Sequence, residues 1–389
     1  MNDLTLTRRS FIAGIAAAGL ACGFGRAAMA DEALDADNGA KGDATSTGDD
    51  PETSKIVWAR ANSGNIFVTL AQKNGYFSDY GLEVEERAVD STTDALTALG
   101  NGAVDVTSNN GTNNPLSQIA AGQDFTMVGG YMLKGMYIVA KAGTGWNGVE
   151  DLVGKKFAGP ASQTAITGAL LEAGYDPIND VEWLTYSTNS DRLSAVVAGE
   201  ADYAVLSGDL LFTVGNMSDI EIVAWLEDLT PNYGCCRMNM RTEFVNDNPN
   251  TVKLILKALL RSECYLNANK DECVTILAEE LSTPEEYVAA YLKNDNYVPS
   301  VDPVRNSILH TWDVMVATGF IEEEAAATID IDADHINTAL YKQALDELVE
   351  ECAGTDDEAF YTERVEFFEE NNLKAYPFDD TPESVLSQD

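Results

Sequence analysis

Positive charge is scarce in this chain. Its 389 residues carry 24 lysines and arginines against 64 aspartates and glutamates, a formal net charge of −40. Phosphate binding needs clustered cations, so nucleic acid is excluded as a partner, and adhesion to anionic lipid with it. There are two histidines, His310 and His335, which leave little for a histidine-based metal site. Cysteines number six. Setting aside Cys22, the remaining five are Cys235, Cys236, Cys264, Cys273 and Cys352, and their spacing matches no zinc pattern. They read as small buried hydrophobes on a strand, and adjacent Cys235 and Cys236 do not bridge easily. No cofactor and no catalytic set is implied. Disorder is excluded by the 45% of hydrophobic residues, which supply cores for roughly two domains.

The N-terminus carries a charged segment, Thr7-Arg8-Arg9-Ser10, followed by an apolar stretch from Phe11 to Ala21. At about 11 residues that stretch is too short to span a ~30 Å hydrocarbon core. Paired arginines followed by Phe and Ile resemble a twin-arginine export signal, with the twin-arginine translocase as partner during export. Ala28-Met29-Ala30 supplies small residues for cleavage, so residues 1–30 are expected to be a leader. A lipid anchor through Cys22 is the competing end. No other stretch reaches the ~18 apolar residues of a membrane span. The mature chain is therefore expected to be soluble outside the cytoplasmic membrane, periplasmic or on the cell surface, or tethered there. Residues 31–54 hold eight acids, one lysine and no aromatic residue, and such a segment reads as a disordered acidic linker.

From residue 55 strands and helices alternate. Ile56-Val57-Trp58-Ala59 is the continuous apolar run of a strand buried on both faces. A helical pattern through Ile66, Leu70 and Ala71 stops at Gly75. Further strands are read at Leu82–Glu85, Val104–Val106, Phe125–Val128 and Met136–Ala140, with a helix between Ser91 and Gly100 and another starting at Asn114-Pro115. A similar unit restarts at Asp151, with strands at Phe157-Ala158, Val181–Leu184, Tyr203–Leu206 and Ile220–Trp225. From Asn248-Pro249 onward the pattern is largely helical. The acidic end, 355–389, is expected to form a short amphipathic helix over 358–370 packed on a lobe, then a loose end. The fold class is therefore α/β, with two lobes followed by C-terminal helices.

In open α/β sheets ligands sit beyond the carboxyl ends of the strands. Six short polar segments fall there: Asn62-Ser63-Gly64, Ser91-Thr92, Ser108-Asn109-Asn110-Gly111, Ala161-Ser162-Gln163-Thr164, Thr188-Asn189 and Ser207-Gly208-Asp209. Four abut a predicted helix start, where free N–H groups favour anions.

In order and spacing the chain resembles the periplasmic solute-binding proteins of ABC importers for nitrate, sulfonates, taurine and thiamine-precursor pyrimidines. The resemblance rests on Gly75-Tyr76-Phe77 with Gly81-Leu82-Glu83-Val84, on Ala98-Leu99-Gly100 with Val104-Asp105-Val106, on Asp151-Leu152-Val153-Gly154-Lys155-Lys156, and on Ala198-Gly199-Glu200-Ala201-Asp202-Tyr203-Ala204. It covers roughly residues 55–261. It implies a two-lobed type II periplasmic-binding-protein clamshell with C-terminal helices: lobe 1 from 55–142 and 233–354, and lobe 2 inserted as 143–232. A small-molecule solute, polar or anionic, would lie between the lobes, and the permease and ATPase subunits of an ABC importer would be partners. A receptor that signals by closure must offer contacts from both lobes, since a solute with equal affinity for open and closed states shifts nothing. The candidates are Asn62, Ser63, Ser91, Asn109 and Asn110 from lobe 1, and Ser162, Gln163, Thr164 and Asn189 from lobe 2. Each also reads as a helix cap or turn. Arg60 can clamp an anion or sit in an exposed ion pair. Trp58, Tyr131, Tyr186 and Trp225 are candidate aromatic walls. Two alternatives remain: a thiamine-pyrimidine-synthase-like enzyme using Cys235 and Cys236 with iron, and a sensor subunit that reports its ligand.

Overall fold

The structure, a computed structural model, describes residues 50–61 and 64–376. The expected leader, Cys22, most of the linker, Asn62, Ser63 and the last residues of the C-terminal end lie outside the described residues. Two sheets organise the rest. The first contains β1 (Lys55–Arg60), β2 (Glu83–Ala88), β3 (Val106–Gly111), β4 (Phe125–Lys134), β10 (Cys236–Arg241) and β11 (Val298–Pro299), in the order β11-β4-β10-β3-β1-β2. The second contains β5 (Met136–Lys141), β6 (Lys156–Ala158), β7 (Glu182–Leu184), β8 (Tyr203–Ser207) and β9 (Ile220–Trp225), in the order β7-β6-β8-β5-β9.

The same plan recurs in both sheets. A parallel β2-β1-β3 or β7-β6-β8 core is joined by crossover helices, and an antiparallel strand, β10 or β5, lies against its inner edge. That strand is the one with which the chain enters from the other sheet. The first crossing is Gly135, between β4 and β5, and the second is the segment 230–235 leading into β10. The expected lobe 1 extends to residue 142, whereas β5 pairs with β8 and β9, so the chain changes sheet at Gly135. Its apolar run, Tyr137 to Ala140, is fully buried and suits the middle of either sheet, so composition alone does not assign it.

β1 shows why the parallel cores form. Ile56 and Trp58 pack on one face of the sheet with Phe67, Leu70 and Leu256, while Val57 and Ala59 pack on the other with Leu96, Leu99 and Trp312. The period-two alternation buries both faces at once. Asn65 then starts helix Ile66–Lys73: its side-chain oxygen accepts the Val68 N–H at 3.2 Å, and its amide donates to Ser108 Oγ at 2.6 Å on β3. Trp58 Nε1 donates to the same hydroxyl at 3.2 Å, so the helix start is tied to β1 and β3 together. Helix Asn113–Ala120 begins before Asn114, and Pro115 sits in its first turn.

Two expectations about chain ends change. Residues 50–54, assigned to the linker, are ordered. Glu52 accepts the Asn250 N–H at 3.0 Å and the Thr251 N–H at 2.7 Å, capping helix Pro249–Ala268 where free amides and the helix dipole favour a carboxylate. The C-terminal helix runs Glu358–Phe368 and continues as a wider turn, Glu369–Leu373. Its residues pin the molecule's centre: Asn371 accepts from Asn232 in the second crossing at 2.7 Å, and Asn372 accepts from the Arg305 N–H at 2.8 Å. Among the described residues no helix is long and apolar enough to cross a membrane.

Candidate functional site

A cavity of about 570 Å³ lies between the two sheets, with both crossings in its wall. The first sheet contributes Asn109 from the end of β3 and Tyr131 and Met132 from β4. The crossings supply Gly135, Met136, Cys235 and Cys236. From the second sheet come Ser207, Gly208 and Asp209 at the carboxyl end of β8, with Asn189 at the start of helix Asn189–Ala198. Helix Glu285–Leu292 and the turn after it close the remaining side with Tyr287, Tyr291 and Tyr297.

Asp209 is the charged group of this wall among the described residues. Its carboxylate accepts from Ser207 Oγ at 2.5 Å and from Asn189 Nδ2 at 3.0 Å. Burial raises its pKa above the ordinary carboxylate value, against the opposing pull of those hydrogen bonds and of Arg192. Arg192 stands behind the wall and donates to Asn189 Oδ1 at 3.3 Å. The tyrosines surround the space. Tyr291 and Tyr297 lie with ring centroids 4.9 Å apart, and Tyr131 packs edge-on to Phe67 at 6.1 Å. Burial pushes Tyr291 up to about 12, and Tyr131, Tyr287 and Tyr297 also upward, so all four remain neutral phenols. The wall therefore offers aromatic and thioether surface, neutral hydroxyl and amide groups, and one acid.

The candidates read from sequence divide. Asn109 and Asn189 line the cavity, and so does Tyr131. Ser91 caps helix Thr92–Gly100, accepting the Asp94 N–H at 3.1 Å, and borders a separate hollow of about 240 Å³ with Asn110. Asn110 is buried and donates to Thr107 Oγ1 at 2.6 Å. Ser162, Gln163 and Thr164 form the seam where the two halves touch. Asn113 donates to Ser162 Oγ at 3.2 Å, Tyr233 donates to Gln163 Oε1 at 2.5 Å, and Thr164 is buried at its helix start. Arg60 pairs with Glu280 at 2.8 Å, outside the cavity wall, so no anion clamp is assembled there. Glu280 comes from helix Lys270–Leu281, more than 200 residues away in sequence, which is why the pairing is invisible locally. Trp58 is core, and Trp225 packs on Tyr137 at 5.2 Å.

Asp209 lies in the strand-end segment Ser207-Gly208-Asp209 but is not among the named candidates, and Tyr287, Tyr291 and Tyr297 are the residues missed. Tyr287 and Tyr291 are four apart on one helix, a spacing that reads first as core. Their hydroxyl ends are the available signal: the Tyr287 hydroxyl donates to the Asp209 carbonyl, joining the helix to the second sheet. The iron reading does not fit. Among the described residues no three His, Cys, Asp or Glu side chains gather as a metal site would need. His335 is engaged with the Phe125 carbonyl at 2.8 Å, and His310 lies against helix Thr164–Glu172. The five cysteines among the described residues are unpaired thiols; Cys236 opens a strand, but Cys264 and Cys273 lie on helices.

The family described as NMT1/THI5 like matches residues 62–273. No curated protein matches the chain. Among solved structures, the periplasmic aliphatic sulphonate binding protein SsuA from Escherichia coli is 20% identical, with a TM-score of 0.60 over 69% of this chain and 89% of that one. The periplasmic nitrate-binding protein NrtA from Synechocystis PCC 6803 is 16% identical, with a TM-score of 0.62 over 77% and 90%. The alkanesulfonate-binding protein SsuA from Xanthomonas axonopodis pv. citri bound to MOPS is 18% identical, with a TM-score of 0.57 over 69% and 95%. At these identities the likeness is one of fold.

Proposed function

The chain belongs to the NMT1/THI5-like family, and from that premise we propose that it is an exported solute receptor of an ABC importer, not an enzyme. One observation carries the reading: a cavity of about 570 Å³ walled by both sheets, both crossings and a C-terminal helix. A molecule held there touches both halves only when they are together, so its binding energy favours the closed state. Capture by closure, release to a permease and an extracytoplasmic address all belong to this proposal. Cleavage after residue 30 and lipidation at Cys22 are its two routes to that address.

The wall also narrows the solute. With Asp209 as its charge, four neutral tyrosines, and no lysine or arginine lining it among the described residues, it suits a neutral or cationic organic molecule with a flat or apolar face. Nitrate or a simple alkylsulfonate would meet no cation there, and Asp209 would repel it.

A thermal-shift screen over taurine, alkylsulfonates, nitrate, pyrimidines, aromatic acids and aromatic amines tests the proposal. A tight solute at a hundredfold excess over Kd adds about 2.7 kcal/mol of stability. Pyrimidines or aromatic amines should raise the melting temperature, while nitrate and taurine leave it unchanged. Stabilisation by nitrate or sulfonates alone would overturn the solute class and keep the receptor. Stabilisation by none of the panel would overturn the receptor reading for these solutes.

A further inference from the structure

Cys235 and Cys236 are neighbours in sequence, yet their Sγ atoms lie 3.4 Å apart and both face the cavity. Regular strand geometry sends consecutive side chains to opposite faces. Here the chain is still entering β10, and its register against β4 slips between Cys236 and Arg237. Thr112 holds that irregular segment: its N–H donates to the Cys235 carbonyl at 2.9 Å, and its hydroxyl reaches the carbonyls of Gly234 and Cys235. The Gly234 N–H donates to Ser307 Oγ at 2.8 Å. Four hydrogen bonds thus fix a turn that brings two thiols onto one face, where an extended strand would part them.

We propose that Cys235 and Cys236 form a vicinal dithiol–disulfide site in the wall of the solute cavity, oxidised by low-molecular-weight disulfides that reach it through the cleft. In the first step the Cys235 thiolate attacks one sulfur of a disulfide RSSR; the S–S bond breaks and RS⁻ leaves with the electron pair. In the second, Cys236 loses its proton, attacks Cys235 Sγ and expels the second RS⁻. The two protons released by the cysteines convert both leaving groups to RSH, so two cysteine thiols become one disulfide as RSSR becomes two thiols.

The surroundings support this order of attack. The thiol of Cys236 hydrogen-bonds Cys235 and lowers its pKa despite burial, with Arg237 beside it acting in the same direction. Cys264 and Cys273 are instead pushed up to about 12 by burial, and Cys352 also upward. Adjacent Cα atoms are only ~3.8 Å apart, below the ~4.4–6.8 Å span of ordinary disulfides, so the ring is strained and readily reduced. The pair suits a reversible bond and not a permanent staple, which limits the sequence expectation that it does not bridge.

The test uses the reduced full chain incubated with 2-hydroxyethyl disulfide, followed by peptide mass analysis. The peptide carrying residues 235 and 236 should lose two hydrogens and regain them with a reductant. In Cys236→Ser the second step is blocked, and one hydroxyethylthio group should stay on Cys235. The proposal is overturned if the wild-type peptide keeps such an adduct instead of closing the ring. It is equally overturned if that peptide stays a dithiol while Cys352 reacts. The wild-type readout needs no variant to fold and does not depend on which solute the cavity takes.

Discussion

At the scale of residues, Asp209 is the side chain on which solute choice turns. Its carboxylate is held by Ser207 and Asn189 and is raised in pKa by burial, so its negative charge is costly in the unliganded wall. A cationic solute would recover that cost; a neutral one would not. Asp209→Asn keeps an oxygen to accept both hydrogen bonds and removes the charge. Titration calorimetry should show the variant binding a cationic aromatic solute about tenfold or more weaker, with a neutral analogue little changed. Equal losses for both would mean that Asp209 acts by shape and not by charge. Sequence reached part of this wall. Asn109 and Asn189 follow strand ends in a pattern that topology makes meaningful, and they are where the strand-end rule puts them. Arg60 satisfies the same rule and yet faces Glu280, because its partner arrives from a helix that no local pattern connects to it.

At the scale of elements, the strands were legible wherever continuous apolar runs coincide with burial on both faces, as in β1, β4 and β5. Sheet membership was not, because the exchange of β5 and β10 between sheets is decided by the crossings and leaves no mark on composition. The same crossings set the cavity's back wall. Gly135 has φ +142, a region open to glycine, and a methyl placed there would lie 2.8 Å from Tyr297 Cδ2. Gly208, just past the end of β8, presses on the same Cδ2–Cε2 edge of that ring, with no room for a side chain. One aromatic ring is thus seated against both the first crossing and the second sheet. Gly135→Ala should cost about 1–3 kcal/mol, read as a lower urea midpoint at unchanged slope. It should also lower solute affinity, because the Tyr297 ring lines the cavity and must shift to admit the methyl. A stable variant with unaltered affinity would show that the ring has room elsewhere.

At the scale of the whole molecule, acidity and burial act together on stability. Asp209, Glu263 and Asp302 all have raised pKa values, in each case chiefly through burial. Arg364 and the Val301 N–H face Glu263, and Asn372, the Val304 N–H and Arg237 face Asp302, each pulling the other way. A carboxyl whose folded pKa exceeds its unfolded value of about 3.9–4.3 stabilises fully when protonated, and that contribution is lost as pH rises through the folded pKa. Glu52 and Glu347 have the opposite sign. Burial acts to raise both, but the amides of Thr251 and Asn250 outweigh it for Glu52, and Lys253 with Lys257 outweighs it for Glu347. Their contribution is present at neutral pH and is lost as pH falls through their lowered folded pKa values. The melting temperature should therefore climb as pH drops from neutral through the raised folded pKa values toward the ordinary carboxyl range of about 3.9–4.3, then fall below it as the lowered pair protonates. Relief of self-repulsion in a chain of net charge −40 predicts the same climb, so the curve alone does not separate the causes. Salt does. At 1 M ionic strength the screening length shrinks to ~3 Å, which suppresses repulsion between surface charges and leaves buried groups nearly untouched. Calorimetry across the pH series at low and high salt should keep most of the climb at high salt. A climb that vanishes there would assign it to the surface and remove the three buried carboxyls from the account of stability.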